Sequence, residues 1–82
     1  MATIRKVKVL EGFEVELEFA DGEVKVVDLA RYLNHPVFEP MKRDPNLFRA
    51  VYVDHEAGTI VWPNGADMCP DMLYEGLPPA TS

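Results

Sequence analysis

Residues 13 to 19 read Phe-Glu-Val-Glu-Leu-Glu-Phe, an alternation of apolar and acidic side chains without exception. A period of two puts Phe13, Val15, Leu17 and Phe19 on one face and Glu14, Glu16 and Glu18 on the other, the signature of a half-buried β-strand. A strand of this kind needs neighbours to pair its backbone and a layer to cover its apolar face. The flanking sequence supplies the first. Asp21-Gly22 predicts a two-residue hairpin turn, because a type I′ turn needs positive φ. Glu23 to Val27 then returns as a second strand. The expected register sets Phe19 against Val24 and Leu17 against Val26 on the core side, with Glu18 facing Lys25 on the other. Upstream, Glu11-Gly12-Phe13 predicts a three-residue loop, which brings Val9 to Val15, Val7 to Leu17, Lys8 to Glu16 and Lys6 to Glu18. Independent patterns agree on an antiparallel three-stranded meander.

The next stretch is punctuated by Pro36, Pro40 and Pro45. Each proline removes a donor and clashes with the preceding turn, so no long helix runs here. Asp28 predicts an N-cap for a short helix reaching about Leu33. Two further helical turns are expected around residues 37–42 and 45–49. Val37, Phe38, Met41, Leu47 and Phe48 then form an apolar lid over one sheet face.

A second hairpin follows. A four-residue loop, His55-Glu56-Ala57-Gly58, pairs Val53 with Ile60 and Val51 with Trp62, leaving Tyr52 and Val61 on the opposite face. Pro63-Asn64-Gly65 is a turn signal. Pro70 opens a last short helix at its first position, with Asp71 in the first turn and Gly76 as its stop. The fold class expected is α+β: one small domain over residues 1–76, with 77–82 a flexible tail. At 82 residues such a domain buries only about 60% of its unfolded surface, so its core is thin.

Charge narrows the function classes. Eight basic against fourteen acidic side chains give a net charge of −6, which repels phosphate backbones and anionic lipids on average. Arg5, Lys6 and Lys8, and Lys42 with Arg43, are the candidates for a local basic patch, but no aromatic-interleaved basic stripe accompanies them. Nucleic-acid binding by this chain is disfavoured. One cysteine excludes an intrachain disulfide, and the absence of a Cys/His cluster at ligand spacing disfavours zinc. No apolar run reaches membrane length and no signal-peptide pattern opens the chain, so a cytoplasmic protein is expected.

The segment Trp62 to Asp71 holds the candidate chemistry. Asp67 and Asp71 are four residues apart, but a helix starting at Pro70 places one before it and one within it. Nothing forces them to converge, and Asp67 is expected to accept backbone N–H bonds in its loop. Cys69 precedes a helix N-terminus, where a thiolate is stabilised, but no motif joins it to His35 or His55. It is expected as a small buried residue. His55, between Asp54 and Glu56, reads as turn polarity, and His35 as a loop residue before proline. Trp62 is read as core, and Asn64-Gly65 lacks the glycines and lysine of a phosphate loop. No residue is expected to be catalytic, to bind a cofactor or to ligate a metal.

Three segments, "FADGEVKVVDL", "HPVFEPMKRDP" and "GTIVWPNGADMCPDMLYE", resemble the domain of unknown function family numbered 2442, which groups small, mostly bacterial proteins. The resemblance covers about residues 5 to 75. It implies a compact α+β domain. Some members carry an additional helical DNA-binding segment, which this sequence does not show. Some are encoded beside another small protein, an arrangement similar to toxin–antitoxin pairs. Trp62, Pro63, Asn64, Gly65, Asp67, Pro70 and Tyr74 match the family motif, Cys69 does not, and no catalytic residue comes with the resemblance.

The expected function is therefore a non-enzymatic protein-binding or regulatory module, the antitoxin-like partner of a small neighbouring protein or a homodimer through an exposed edge strand. A basic partner would be steered by the acidic surface. The alternative is a small-ligand binder or enzyme with its site at the Trp62–Asp67 corner, using Trp62, Asn64, Asp67 and Tyr74. That alternative needs a pocket where polar groups converge.

Overall fold

The computed structural model describes residues 2–76; the tail expected at 77–82 lies outside them. Strands β1 (Ile4–Val9), β2 (Glu14–Phe19) and β3 (Val24–Asp28) form an antiparallel sheet in the order β1-β2-β3. Strands β4 (Tyr52–Asp54) and β5 (Thr59–Val61) form a separate hairpin. Between them run two 3₁₀ turns, Leu29–Tyr32 and Pro36–Phe38, and the short helices α1 (Glu39–Arg43) and α2 (Pro45–Arg49). Helix α3 (Pro70–Glu75) comes last. The architecture is α+β, as the sequence pattern requires.

The β1–β2 register is the expected one, with Val9 opposite Val15, Lys8 opposite Glu16, Val7 opposite Leu17 and Lys6 opposite Glu18. Beyond Lys6 a bulge skips Arg5, so Ile4 pairs with Phe19. An extra residue reverses the alternation of a strand. The bulge lets Ile4 join Val7 on the inner face although they are three residues apart. From there the Ile4 N–H donates to the Gly58 carbonyl at 2.8 Å, joining β1 to the second hairpin. That hairpin also has the expected register, with Val53 opposite Ile60 and Tyr52 opposite Val61.

The β2–β3 register differs by one residue from the expected one. Leu17 lies opposite Lys25, Glu16 opposite Val26 and Glu18 opposite Val24. The connection is a three-residue loop, with the Phe19 N–H bonded to the Glu23 carbonyl at 2.8 Å and the Gly22 N–H to the Phe19 carbonyl at 3.0 Å. A type I′ turn would require positive φ at Asp21 as well as at Gly22. Here only Gly22 takes it, at φ 93°, and Asp21 instead uses its carboxylate to accept the Glu23 N–H at 2.9 Å. A one-residue slip exchanges the two faces of a strand. Val24 and Val26 are therefore exposed (53% and 59%), and Lys25 points to the inner side.

The proline-rich segment follows its local signals. Asp28 caps the first 3₁₀ turn through the Ala30 N–H, and Asp44 caps α2 through the Asn46 N–H. Pro36, Pro40 and Pro45 occupy the first turns of their elements, where a missing N–H costs nothing. Phe38, Met41 and Phe48 are buried by this layer and Leu47 is half-buried. Val37, expected in the lid, is exposed. The core meets at Trp62, whose ring packs edge-on against Phe38 (centroids 5.9 Å apart) and tilted against Phe48 (6.1 Å). No helix among the described residues is long and apolar enough to cross a membrane.

Candidate functional site

The corner after β5 repeats the geometry of the β2–β3 turn. The Trp62 N–H bonds to the Ala66 carbonyl and the Gly65 N–H to the Trp62 carbonyl, both at 2.9 Å, with Gly65 at φ 91°. The chain thus doubles back, and Asp67 forms a backbone bridge opposite Val61. The side chains lock this shape. Asn64 Oδ1 accepts the Ala66 N–H at 3.1 Å, while its Nδ2 donates to Met41 Sδ at 3.4 Å. Trp62 Nε1 donates to the Phe48 carbonyl at 3.0 Å. Thr59 Oγ1 donates to the Met68 carbonyl, fastening the returning segment to β5.

The four candidate residues separate. Trp62, Asn64 and Asp67 share the corner. Trp62 is 1% exposed, and its one polar hydrogen is already used. Asp67 is exposed, and among the described residues no hydrogen bond reaches its carboxylate, in contrast to the loop-capping role expected of it. The bridge opposite Val61 continues the alternation of the returning segment and sends the side chain outward. Tyr74 lies elsewhere, against the β2–β3 turn. Its ring meets Phe19 edge-on, with centroids 4.8 Å apart, and its hydroxyl donates to Asp21 Oδ2 at 2.6 Å. That bond lowers the Asp21 carboxyl below its ordinary range, helped by the Glu23 N–H, and raises the Tyr74 phenol above its own. Lys25 Nζ sits 4.5 Å from the centre of the same ring.

Cys69 is exposed rather than buried, and it precedes α3 without a side-chain cap. The returning segment alternates, burying Ala66 and Met68 and leaving Asp67 and Cys69 outside. His35 Nδ1 accepts the Val37 N–H at 3.3 Å and caps a 3₁₀ turn; His55 is exposed in its hairpin loop. Among the described residues no three His, Cys, Asp or Glu side chains converge as a metal site.

Two open concavities flank Tyr74. One, of about 600 Å³, lies between the β2–β3 turn and α3, bordered by Phe19, Asp21, Asp71 and Glu75. The other, of about 340 Å³, runs beside β3 and is bordered by Lys25, Val26, Arg31, Leu73 and Tyr74. Neither takes lining from Trp62, Asn64 or Asp67. The groove beside β3 was not foreseeable from the expected register, which turned Val26 inward.

Comparison with known families settles what kind of chain this is. Residues 4–79 match the family model described as "Protein of unknown function (DUF2442)". The chain belongs to the DUF2442 family. No curated protein and no solved structure matches it. The DUF2442 match spans both hairpins and the corner, so the Trp62–Asp67 geometry belongs to the part of the chain that defines membership.

Proposed function

We propose that this DUF2442 chain is a non-enzymatic protein-binding module whose docking element is the free edge of β3. One observation carries the reading. β3 pairs with β2 on one side only, and two of the residues whose backbone groups face outward, Val24 and Val26, also expose their side chains. The outward direction follows from the ladder. Phe19–Glu23 and Phe13–Leu29 are joined by hydrogen bonds across the pair. Antiparallel ladders alternate between bonded and non-bonded pairs, so Glu18–Val24 and Glu16–Val26 are non-bonded and their β3 members point away from the sheet. An added strand gains main-chain bonds from such an edge and specificity from the groove beside it. An antitoxin-like pairing with a small neighbouring protein is the narrower form of this reading.

The alternative, a small-ligand or enzymatic site at the Trp62–Asp67 corner, has less support. The Trp62 N–H and the Asn64 amide are spent on internal bonds, and Asp67 faces solvent without converging partners.

Affinity capture with a tagged chain tests the proposal. Val26→Pro removes an outward N–H and no internal ladder bond. The wild type is expected to retain a stoichiometric protein partner that Val26→Pro releases and Asp67→Ala keeps. A folded wild type that retains neither another protein nor an untagged copy of this chain, or a partner held equally by folded Val26→Pro, overturns the reading.

A further inference from the structure

We infer that the strand received by β3 is the β3 edge of a second copy of this chain, paired antiparallel about Val24. The inference rests on the strand-accepting reading above and names its partner.

The edge carries the sequence Glu23-Val24-Lys25-Val26. Two copies meeting edge to edge across a two-fold axis bring outward-facing backbone groups together only when an outward residue or its inward neighbour lies on the axis. Four registers satisfy this along the exposed stretch; centring on Glu23 sets that carboxylate directly against its own copy. Centring on Lys25 sets that cation directly against its own copy, and like charges directly opposite destabilise a sheet. Centring on Val26 sets Lys25 against Val27 and Val24 against the Asp28 carboxylate, which gives neither charge nor apolar complementarity. Centring on Val24 sets Glu23 of each chain against Lys25 of the other, two opposite-charge pairs per dimer.

The same register treats both faces of the strand consistently. Glu23 and Lys25 share the inner side, where Lys25 already rests on the Tyr74 ring at the mouth of the groove. The incoming Glu23 carboxylate approaches that cation from the open side. On the outer side Val24 meets its own copy, with the two Val26 side chains flanking. Four exposed valines then form one apolar strip and leave water together. The two three-stranded sheets become one of six strands, and neither copy keeps a bare edge at β3.

Sedimentation of the full chain, with charge reversals, tests this. The wild type is expected to sediment at twice 9.3 kDa. Glu23→Lys and Lys25→Glu, each checked for folding by circular dichroism, are each expected to weaken self-association about tenfold, since each sets like charges opposite one another twice. An equimolar mixture of the two variants is expected to dimerise as tightly as the wild type, because one chain presents two lysines and the other two glutamates. A wild type that is monomeric at every concentration overturns the self-pairing, as does a mixture no tighter than either variant alone. If the monomer still captures another protein through Val26, only the identity of the partner fails and the strand-accepting reading stands.

Discussion

Asp21 and Tyr74 show how one exposed contact couples a turn to a helix. The hydroxyl–carboxylate bond holds only while the phenol is protonated and the carboxyl is ionised. Asp21 is depressed from an ordinary value of 3.8, so its contribution is present above that pH and is lost as pH falls through the lowered value. Tyr74 is raised from 10.0, so its contribution is full below that pH and is lost as pH rises through the raised value. Urea unfolding of wild type and Tyr74→Phe should therefore differ between these limits and converge at both extremes. A constant gap across the whole range would show that the hydroxyl acts through something other than its bond to the ionised Asp21 carboxylate. At the corner, Asn64 and Asp67 make a contrasting pair. Asn64→Ala leaves the Ala66 N–H without its acceptor and should cost about 1 kcal/mol. Asp67→Ala removes an exposed carboxylate and should stay within about 0.5 kcal/mol of wild type. Denaturant midpoints for the two variants check both values. An Asp67 loss as large as that of Asn64 would mean the carboxylate has a structural partner after all.

Among the elements, legibility depended on how many independent signals fixed each register. β1 and β2 align through apolar pairs on one face and Lys–Glu pairs on the other, so one answer satisfies both. β2 and β3 offered two answers. Pairing Glu18 with Lys25 favours a two-residue turn, but that turn would force Asp21 into positive φ. The chain instead spends Ala20, Asp21 and Gly22 on the loop and leaves the left-handed residue to glycine. That choice also releases Val24 and Val26 to the surface, so the edge and its groove could not be read from charge pairing. The corner was readable as a turn from Pro63-Asn64-Gly65, but the backbone bridge at Asp67 depends on the same three-residue loop and was hidden for the same reason. Gly22→Ala tests the loop directly. An added Cβ would meet nothing within 4 Å, so its cost is that of the backbone alone, about 1–2 kcal/mol for a left-handed non-glycine residue. Equilibrium unfolding should show that loss. An unchanged midpoint would indicate that residue 22 is not held in the left-handed conformation in the folded loop.

For the molecule as a whole, short elements have to be held by contacts that no local pattern specifies. None of the helices α1, α2 and α3 exceeds six residues, well below the length at which a helix is stable in isolation. Their order must come from the core they cover. Trp62 is the residue that reaches across: it ends the second hairpin, packs between Phe38 and Phe48, and gives its indole N–H to the Phe48 carbonyl at the end of the proline-rich layer. Asp71 makes a second long-range tie, accepting the Ala2 N–H from the other end of the chain. The two ties predict different losses. Trp62→Phe removes the indole N–H from the Phe48 carbonyl, which keeps only the longer bond from the Val51 N–H, and leaves space beside two rings; it should cost about 2–3 kcal/mol. In a domain of this size that lowers the melting temperature by about 10 °C or more. Asp71→Ala frees only the residues that lead into β1, and its cost should stay near 1 kcal/mol. Hydrogen exchange separates the mechanisms. Trp62→Phe should speed exchange across α2 and the second hairpin together, because they share that contact, whereas Asp71→Ala should speed it only at the β1 terminus. If Trp62→Phe loosened α2 alone, the hairpin would be stable without the layer above it, and the core would be two weakly joined halves rather than one cooperative unit.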